Sequence, residues 1–374
     1  MALVAITAII ATLGPAPCRA QQPVYFAGLA YLGDFQYVEA KYPLTRQLDG
    51  EIQSRLRDAL PNIAPRGLEI RTDLADLHRT ETIVLAVAVD RERISREVFD
   101  FDQGIRTKLI VELSLQLLFY DLAAGILVDN RPISAAINHV VEGRKTDLEA
   151  ESLDLMRRLY FGNGESGGLL GQVVDRLERF ELRPADRLRF RLDGFAFDDR
   201  VLPVLPKARS AVELGQGFGQ WFSARLAEHA RVSVIPFTRG YAIGNQLPGR
   251  FANGEAFNLK LPEPDYALRF EIRNLTKNEH EGQILFAAQA HFTFEEPFTQ
   301  TVLIDGDYRL AVAKLASAAR IEADDWSAYE DAVENLLDDI VTQLTTPERS
   351  WHASHARDEK SFGQFKAHKE LFHE

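Results

Sequence analysis

Histidines are concentrated at the carboxyl end of the chain, where they could bind a transition metal. Four of the nine histidines lie in the last 23 residues, namely His352, His355, His368 and His373. His352 and His355 would share one face of a helix, and neutral imidazoles are ligands for zinc or copper. A complete site would need a carboxylate such as Asp358 or Glu359. We favour the simpler interpretation that residues 348–374 form a polar, solvated tail, and we assign no metal.

A glycine-rich segment matches the spacing of dinucleotide-binding loops. Gly162, Gly164 and Gly167 follow the pattern in which glycines let a backbone approach a pyrophosphate at a helix amino terminus. That pattern requires a strand before the first glycine, whereas Leu153 to Tyr160 has helical periodicity. The glycines therefore favour a break between two helices, and we predict no bound cofactor.

Acidic pairs and isolated histidines offer the remaining routes to catalysis. Carboxylates are adjacent at Asp198-Asp199, Glu295-Glu296 and Asp324-Asp325, which could suggest glycosidase chemistry. Neighbouring residues of a strand point to opposite faces, so turn and helix-cap roles explain these pairs better. His139 and His291 have no recognisable serine partner, and His291 falls on the polar phase of a strand. The sequence therefore predicts a protein that is not an enzyme, with an unrecognised hydrolase as the least favoured alternative.

One long connection carries the candidates for partner binding. Residues Thr238 to Glu263 are rich in glycine and proline and contain the aromatic residues Tyr241, Phe251 and Phe257. A long irregular segment of this kind is either a binding loop or a cover over a sheet. The sequence leaves both interpretations open.

Composition and charge restrict the class of protein. The chain has 374 residues, of which 46% are hydrophobic and 26% charged, so it can form two ordinary domains with separate cores. A net charge of -12 argues against a nucleic-acid surface, because binding to phosphates needs clustered basic residues. After the first residues no apolar stretch approaches the roughly 20 residues of a spanning helix, so we expect no permanent membrane helix.

The amino-terminal residues resemble a secretory signal. Leu3 to Leu13 is apolar and too short to span a bilayer, and small residues precede a predicted cleavage after Ala20. No basic residue precedes Arg19, which a misplaced start codon would explain. Lipidation at Cys18 is disfavoured because Pro15-Ala16-Pro17 is a poor match to a lipoprotein signal. We expect a chain that is periplasmic or associated with the outer membrane and, after cleavage at residue 20, free of cysteine and hence of disulfides.

The rest of the chain contains two copies of one pattern. Gly28-Leu29-Ala30-Tyr31 returns as Gly194-Phe195-Ala196-Phe197. Each motif lies in a predicted strand. This strand is followed by an amphipathic helix, a short strand, a buried strand and a long hairpin. The predicted fold class is α/β, with two tandem similar domains that each pack a mixed sheet against amphipathic helices. The predicted domains span residues 21–183 and 184–347.

This order of elements resembles a small α/β domain of envelope proteins. Phe26 to Tyr31, the helix end at Ser54 to Leu60, Ile83 to Val89 and the hairpin from Val111 to Val128 carry the resemblance. They are similar to the domain at the amino end of TolB and in the curli secretion channel protein and FlgT. The second copy departs from the hairpin pattern at Glu295-Glu296-Pro297. The resemblance implies an envelope accessory protein that binds other proteins, and it supplies no catalytic residues.

These observations lead to three hypotheses of function. The first is an exported accessory or assembly factor that acts through contacts with an envelope protein and could form a homo-oligomer. The second is a periplasmic protein that binds a small ligand, with the segment Thr238 to Glu263 closing over it. The third is the hydrolase. The sequence identifies neither the partner nor the pathway.

Overall fold

A computed structural model describes most of the chain. The described residues are 22–33, 38–63, 65, 68–73, 82–101, 104–143, 147–163, 167–181, 187–207, 209–230, 232–237, 246–280, 283–315, 320–322 and 325–373. The predicted signal segment at residues 1–20 and the predicted domain boundary after residue 183 lie outside them.

In the first unit, helices follow the first strand and the last strand, with a run of strands between them. Its elements are β1 (Gln22–Leu32), α1 (Val38–Lys41), α2 (Pro43–Gln47), α3 (Asp49–Ala59), β2 (Leu68–Arg71), β3 (Ile83–Phe101), β4 (Gly104–Asp121), β5 (Ile126–Glu142), α4 (Glu149–Phe161) and α5 (Gly168–Glu178). The helical stripe predicted from leucine spacing forms α2 and α3, in which Leu44, Ile52 and Leu56 are buried.

The second unit follows the same order and adds elements of its own. They are β6 (Arg189–Phe197), α6 (Ala211–His229), β7 (Ser233–Ile235), β8 (Gln246–Phe251), β9 (Ala256–Lys260), β10 (Tyr266–His280), β11 (Gln283–Glu296), β12 (Thr301–Leu315), β13 (Arg320–Glu322), α7 (Asp325–Thr345), α8 (Arg349–His355) and α9 (Ser361–His368). No helix among the described residues is long and apolar enough to cross a membrane.

The two sheets have the same topology. Five strands of the first sheet run in the order β2-β1-β3-β4-β5, and five of the second in the order β7-β6-β10-β11-β12. In each, the first strand of the unit is parallel to its two neighbours and the later strands form an antiparallel ladder. The prediction of an α/β fold with two similar tandem domains is confirmed.

Irregularities of the ladders also recur at matching places. In both units the parallel pairing shifts register just before the repeated glycine, Gly28 in one and Gly194 in the other. The next pairing shifts around Asp90 in the first unit and around Arg273 in the second. The last pairing shifts after Phe119 and after Phe294. Bulges bend a strand at a fixed place, so these three positions give a residue-by-residue alignment of the two units.

Each sheet has a helix layer on one face. In the first unit α3, α4 and α5 cover the side chains of β4 that alternate from Leu109 to Phe119. In the second unit α6 and α7 cover the alternating side chains of β11 from Ile284 to Phe294. Trp326 and Tyr329 of α7 are buried there, as their helical spacing predicts.

The described part of the connection Thr238 to Glu263, from residue 246 onward, covers a sheet. Its residues 246–260 form the hairpin β8–β9, which belongs to the first sheet although it lies in the second half of the chain. β8 pairs with the end of β1, and β9 meets the start of β5 at Ile126 and Lys260. Because β1 also pairs with β3, these pairings close the sheet on itself.

The inner surface of this closed sheet is a separate core. Leu247, Leu259 and Leu261 pack there against small and apolar side chains of the first sheet, such as Ala86 and Leu118. These five residues are at most 3% exposed. The first unit therefore depends on the second half of the chain to cover one of its two faces.

The helix layer of the second unit also packs on the first sheet. Arg91 and Arg93 of β3 form ion pairs with Glu330 and Glu334 of α7. Glu112 of β4 joins the same cluster. The layers follow each other as helices, first sheet, helices and second sheet, so the far face of the second sheet ends the stack.

The expectation of a solvated carboxyl-terminal tail is wrong. Residues after Pro347 form α8, α9 and a short 3-10 turn at Lys369–Phe372. Phe365 and Phe372 are 1% exposed and belong to the core of the second unit. The sequence did not reveal this because the apolar residues are widely spaced among charged ones.

Candidate functional site

The second sheet leaves one face open. Its strands alternate between side chains buried under α7 and half-buried polar side chains on the opposite side. Within the described residues, no helix layer or hairpin packs on that opposite side. We call it the open face and define it by the six side chains Arg269, Arg273, His291, Glu295, Asp305 and Asp307.

His291 lies at the centre of the open face, between two carboxylates. Its Nε2 atom is 3.0 Å from Asp305 Oδ1, and its Nδ1 atom is 3.0 Å from Asp307 Oδ1. Arg273 also donates to Asp307 Oδ1, at 2.6 Å. Both ring nitrogens of His291 therefore face carboxylates.

Ion pairs continue across neighbouring strands. Arg269 of β10 lies 2.7 Å from Glu295 of β11 and 3.4 Å from Asp193 of β6. Arg273 donates to Glu271 at 2.9 Å, and this hydrogen bond raises the pKa of the Arg273 guanidinium. Cross-strand pairs of opposite charge stabilise a sheet surface modestly. The open face therefore presents ordered charges of both signs.

A surface pocket of about 640 Å³ adjoins the open face at the edge of β12. The backbone amide of Arg357 donates to the carbonyl of Asp307 at 3.0 Å, and Ala356 bridges to Tyr308. After Arg357 the chain moves away from β12, and the pocket lies between β12 and residues 358–360. Asp358 and Glu359 line this pocket together with His291.

The turn between β11 and β12 is apolar and exposed. Phe298 at this turn is 96% exposed, and Val302 at the start of β12 is 52% exposed. Gln300 adopts a positive φ of 57°, which closes the turn. Phe298 and Val302 thus place exposed apolar side chains at one end of β12.

The predicted metal candidates do not come together. His352 is 4% exposed, and its Nδ1 atom is 2.8 Å from the hydroxyl of Ser361. His355 stacks on Trp351 with ring centroids 4.9 Å apart. The described residues contain no cluster of three or more metal-ligating side chains. Asp358 and Glu359, the carboxylates that would have completed the site, line the pocket beside His291 instead.

The predicted partner-binding aromatics have a structural role where the structure describes them. The rings of Phe251 and Phe257 lie 4.8 Å apart and pack against the core inside the first sheet. The ring of Phe257 also lies over Gly249, where a side chain would collide with it at 2.3 Å. Tyr241 is outside the described residues. The sequence left a binding loop possible because the pairing of β8 with the first unit has no local signal.

The glycine-rich segment separates two helices. Gly162 ends α4 with a positive φ of 75°, and α5 begins at Gly168. Gly164 lies outside the described residues. A helix rather than a strand precedes Gly162, so the arrangement required for a dinucleotide is missing there.

Sequence reasoning missed the cluster around His291. This histidine does lie on the polar side of its strand, as its spacing predicts, but its side chain is 25% exposed and contacts two aspartates. Asp305 and Asp307 are two residues apart, which places both on one face of a strand. That spacing is the sequence signal that places both aspartates on one face of β12.

The equivalent positions of the first unit hold a buried polar cluster. By the alignment of bulges, Asp90 corresponds to Arg273, Gln116 to His291 and Asn130 to Asp305.

Gln116 donates to Asp90 at 3.1 Å and accepts from Asn130 at 3.2 Å. Gln220 of α6 is hydrogen-bonded to Asp90, whose pKa is raised by burial. The same place in the first unit is thus an interface covered by the second.

Comparisons with known proteins identify no family. No family model matches the chain, and no curated protein matches it. Among solved structures, it is similar to a protein described as a neuraminyllactose-binding hemagglutinin homolog from Helicobacter pylori. The identity is 10%, the TM-score is 0.27, and the match covers 42% of this chain and 86% of the other.

A second similar structure is a Xanthomonas campestris protein of the family DUF330. Its identity is 9%, its TM-score is 0.22, and the match covers 43% of this chain and 85% of the other. Likenesses at this level carry no argument about function, so the site must be interpreted from its own geometry.

Proposed function

We propose that the protein is a non-enzymatic accessory protein of the cell envelope that binds another protein on the open face of its second sheet. The observation that carries the proposal is a comparison between the two units of the chain. The matching face of the first sheet is covered by α6, α7 and the hairpin β8–β9. The first unit therefore uses this face to dock other elements of the chain. The equivalent face of the second unit has no such cover among the described residues.

The chemistry of the open face supports the same function. Ordered charges of both signs give specificity and orientation to a protein contact. The exposed Phe298 beside them supplies an apolar anchor of the kind that dominates binding energy. His291 has both ring nitrogens engaged, which favours recognition over catalysis.

The predicted export segment and the resemblance to envelope domains support a location outside the cytoplasm. A signal cleaved after Ala20 would deliver the chain to the periplasm. The domain at the amino end of TolB, which the chain resembles, belongs to the same compartment. We therefore extend the proposal to a periplasmic or outer-membrane-associated partner.

Binding of a small ligand is the second candidate, and the pocket beside β12 is the observation that favours it. Its volume of about 640 Å³ would hold a compound of moderate size. Small-molecule sites are mainly apolar, however, whereas charged side chains such as Asp305, Arg357 and Glu359 line this pocket. Protein binding is the better match.

Photo-crosslinking tests the proposed function. A crosslinkable amino acid at Thr293, on the open face, is introduced into the chain without residues 1–20 and irradiated in an envelope extract. The control position is Val140, which is 53% exposed in the first unit.

A discrete protein adduct from Thr293 but not from Val140 is expected. Equal labelling from both positions, or no adduct, would contradict protein binding at this face. Native mass spectrometry that finds a bound small molecule and no adduct would favour the second candidate.

A further inference from the structure

The first sheet already shows what its last strand can bind. At the start of β5, Ile126 pairs with Lys260 of β9, an added strand from elsewhere in the chain. Ile126 pairs with Asp121 across the hairpin, as Thr301 of β12 pairs with Glu296 in the second unit. Thr301 is therefore the position equivalent to Ile126. Among the described residues, no strand pairs with the outer edge of β12.

We propose that the outer edge of β12, from Thr301 to Gly306, binds an extended strand of the partner protein. This inference rests on the proposed function and specifies how the partner is held. Main-chain hydrogen bonds to an exposed sheet edge are an established mode of peptide binding, in which side-chain pockets add specificity. The edge of β12 offers both.

The free edge has defined ends. At one end, Ala356 and Arg357 of the chain itself pair with Tyr308 and Asp307, which shows that this edge accepts a second backbone. At the other end lies the turn with Phe298. The six residues between them span roughly 20 Å, enough for a strand of ordinary length.

The charge beside this edge selects the partner. Asp305 has a side chain that is 57% exposed, and Asp358 and Glu359 are exposed across the pocket from it. Arg357 and Lys360 also line the pocket. Asp307 is engaged by Arg273, and Asp305 contacts His291 through one oxygen only. The exposed carboxylates beside the edge therefore favour a lysine or arginine.

Apolar side chains select the rest of the added strand. Phe298 and Val302 would contact an apolar residue near one end of it. Pairing with a second copy of this chain is disfavoured, because two β12 edges would bring their exposed Asp305 carboxylates together. The partner segment is therefore an extended strand of another protein that alternates apolar with basic residues.

Synthetic peptides test this inference on the chain without residues 1–20. Three probes of about eight residues, the length of an ordinary strand, are compared: alternating valine and lysine, alternating valine and glutamate, and the lysine peptide with N-methylated amides on alternate residues. Binding is measured by fluorescence anisotropy, and the bound region by amide hydrogen exchange. The variants are Asp305→Lys and, as a matched control, Asp199→Lys on an exposed turn of the same unit.

We expect the lysine peptide to bind at least about tenfold more tightly than the glutamate peptide and to protect the amides of residues 301–306. Methylation and Asp305→Lys should each weaken binding by about tenfold or more, and Asp199→Lys should not.

Three results would overturn the inference: no binding of the lysine peptide at about 1 mM, binding that survives methylation, or binding without protection of residues 301–306. An adduct from Thr293 together with any of these would leave the proposed function intact and reject strand addition alone.

Discussion

Arg93 of the first unit donates to Glu330 of the second at 2.7 Å, and both side chains are almost fully buried. Glu334 and Glu112 lie within 3.6 Å of the same guanidinium. Burial acts to lower the pKa of Arg93, but the nearby carboxylates together outweigh it and raise that pKa, while burial raises the pKa of Glu334. This cluster joins the two units where α7 crosses β3.

Removing one charge from this cluster should destabilise the protein strongly. Arg93→Ala leaves the buried Glu330 without its nearest counter-ion, while Glu334 keeps Arg91, and the loss should cost about 3–5 kcal/mol in the free energy of unfolding. Arg157→Ala breaks an ion pair with Glu51 on the surface, where the side chains are 52% and 38% exposed, and should cost under about 1 kcal/mol. Urea denaturation of both variants measures the difference. Equal losses of unfolding free energy would show that the buried cluster stabilises the protein no more than a surface ion pair does.

The hairpin β8–β9 should stabilise the first unit. Leu259 is 3% exposed in the core inside the first sheet, so Leu259→Ala should lower the free energy of unfolding by about 2–5 kcal/mol. Amide hydrogen exchange should become faster in β1, β3 and β4, because they lose the packing of that face. Val140→Ala, at a 53% exposed position, is the control and should change stability by under about 0.5 kcal/mol. Faster exchange confined to the second unit would contradict this assignment.

His352 should make stability depend on pH. Burial lowers its pKa from 6.5 to about 4, so the unfolded chain binds a proton between these values when the folded chain does not. Stability from the neutral imidazole is complete above pH 6.5 and is lost as the pH falls through 4, by about 3 kcal/mol in total. His352→Leu should flatten the stability profile in this window relative to the parent chain. If urea titrations of His352→Leu show the same slope of stability against pH between pH 4 and 6.5 as the parent chain, other groups cause the dependence.

Substitution by alanine should have opposite effects on stability at two glycines near the break between α4 and α5. Gly168 has a positive φ of 55°, and an added Cβ would lie 2.5 to 2.7 Å from Gly162 N and the carbonyl oxygens of Leu159 and Tyr160. Gly168→Ala should therefore destabilise by more than about 1 kcal/mol. Gly171 lies within α5 with open space around its Cα, so Gly171→Ala should be neutral or stabilise by up to about 1 kcal/mol. Thermal unfolding of both variants measures the contrast, and a neutral Gly168→Ala would refute the steric argument.

Phe298 should matter for binding and not for folding. Because the side chain is 96% exposed, Phe298→Ser should change the free energy of unfolding by under about 0.5 kcal/mol. The yield of the adduct formed from Thr293 should fall at least about fivefold, as expected when an aromatic anchor worth about 1 kcal/mol or more is removed. An undiminished adduct would place the partner away from the turn.

Periodicity predicted most of the elements but not their full extent. The alternation from Leu109 to Tyr120 and the apolar run from Ile83 to Val89 both mark strands of the structure. β3 continues to Phe101 through Arg91, Glu92 and Arg93, whose charges obscured the strand. The two arginines pair with α7 and β4, and Glu92 accepts hydrogen bonds from backbone amides of α2. Contacts between distant segments leave no local pattern.

The candidate site was less predictable than the fold. The site is formed by side chains of three strands that meet only in the folded sheet. It also depends on the open face having, among the described residues, no cover like the one on the first sheet. Neither property is visible in the spacing of residues along one segment. The repeated motif at Gly28 and Gly194 was nevertheless enough to predict that two such sheets exist.

The dependence of the first sheet on Leu261 sets an order for biosynthesis. A chain is made from its amino end, and domains generally fold as they emerge. Here the first sheet can form its strands early, yet Ala86, Leu118 and their neighbours stay unprotected until the residues up to Leu261 are synthesised. The first unit therefore cannot complete its core until more than half of the chain is available, and an apolar surface stays uncovered through the earlier part of folding.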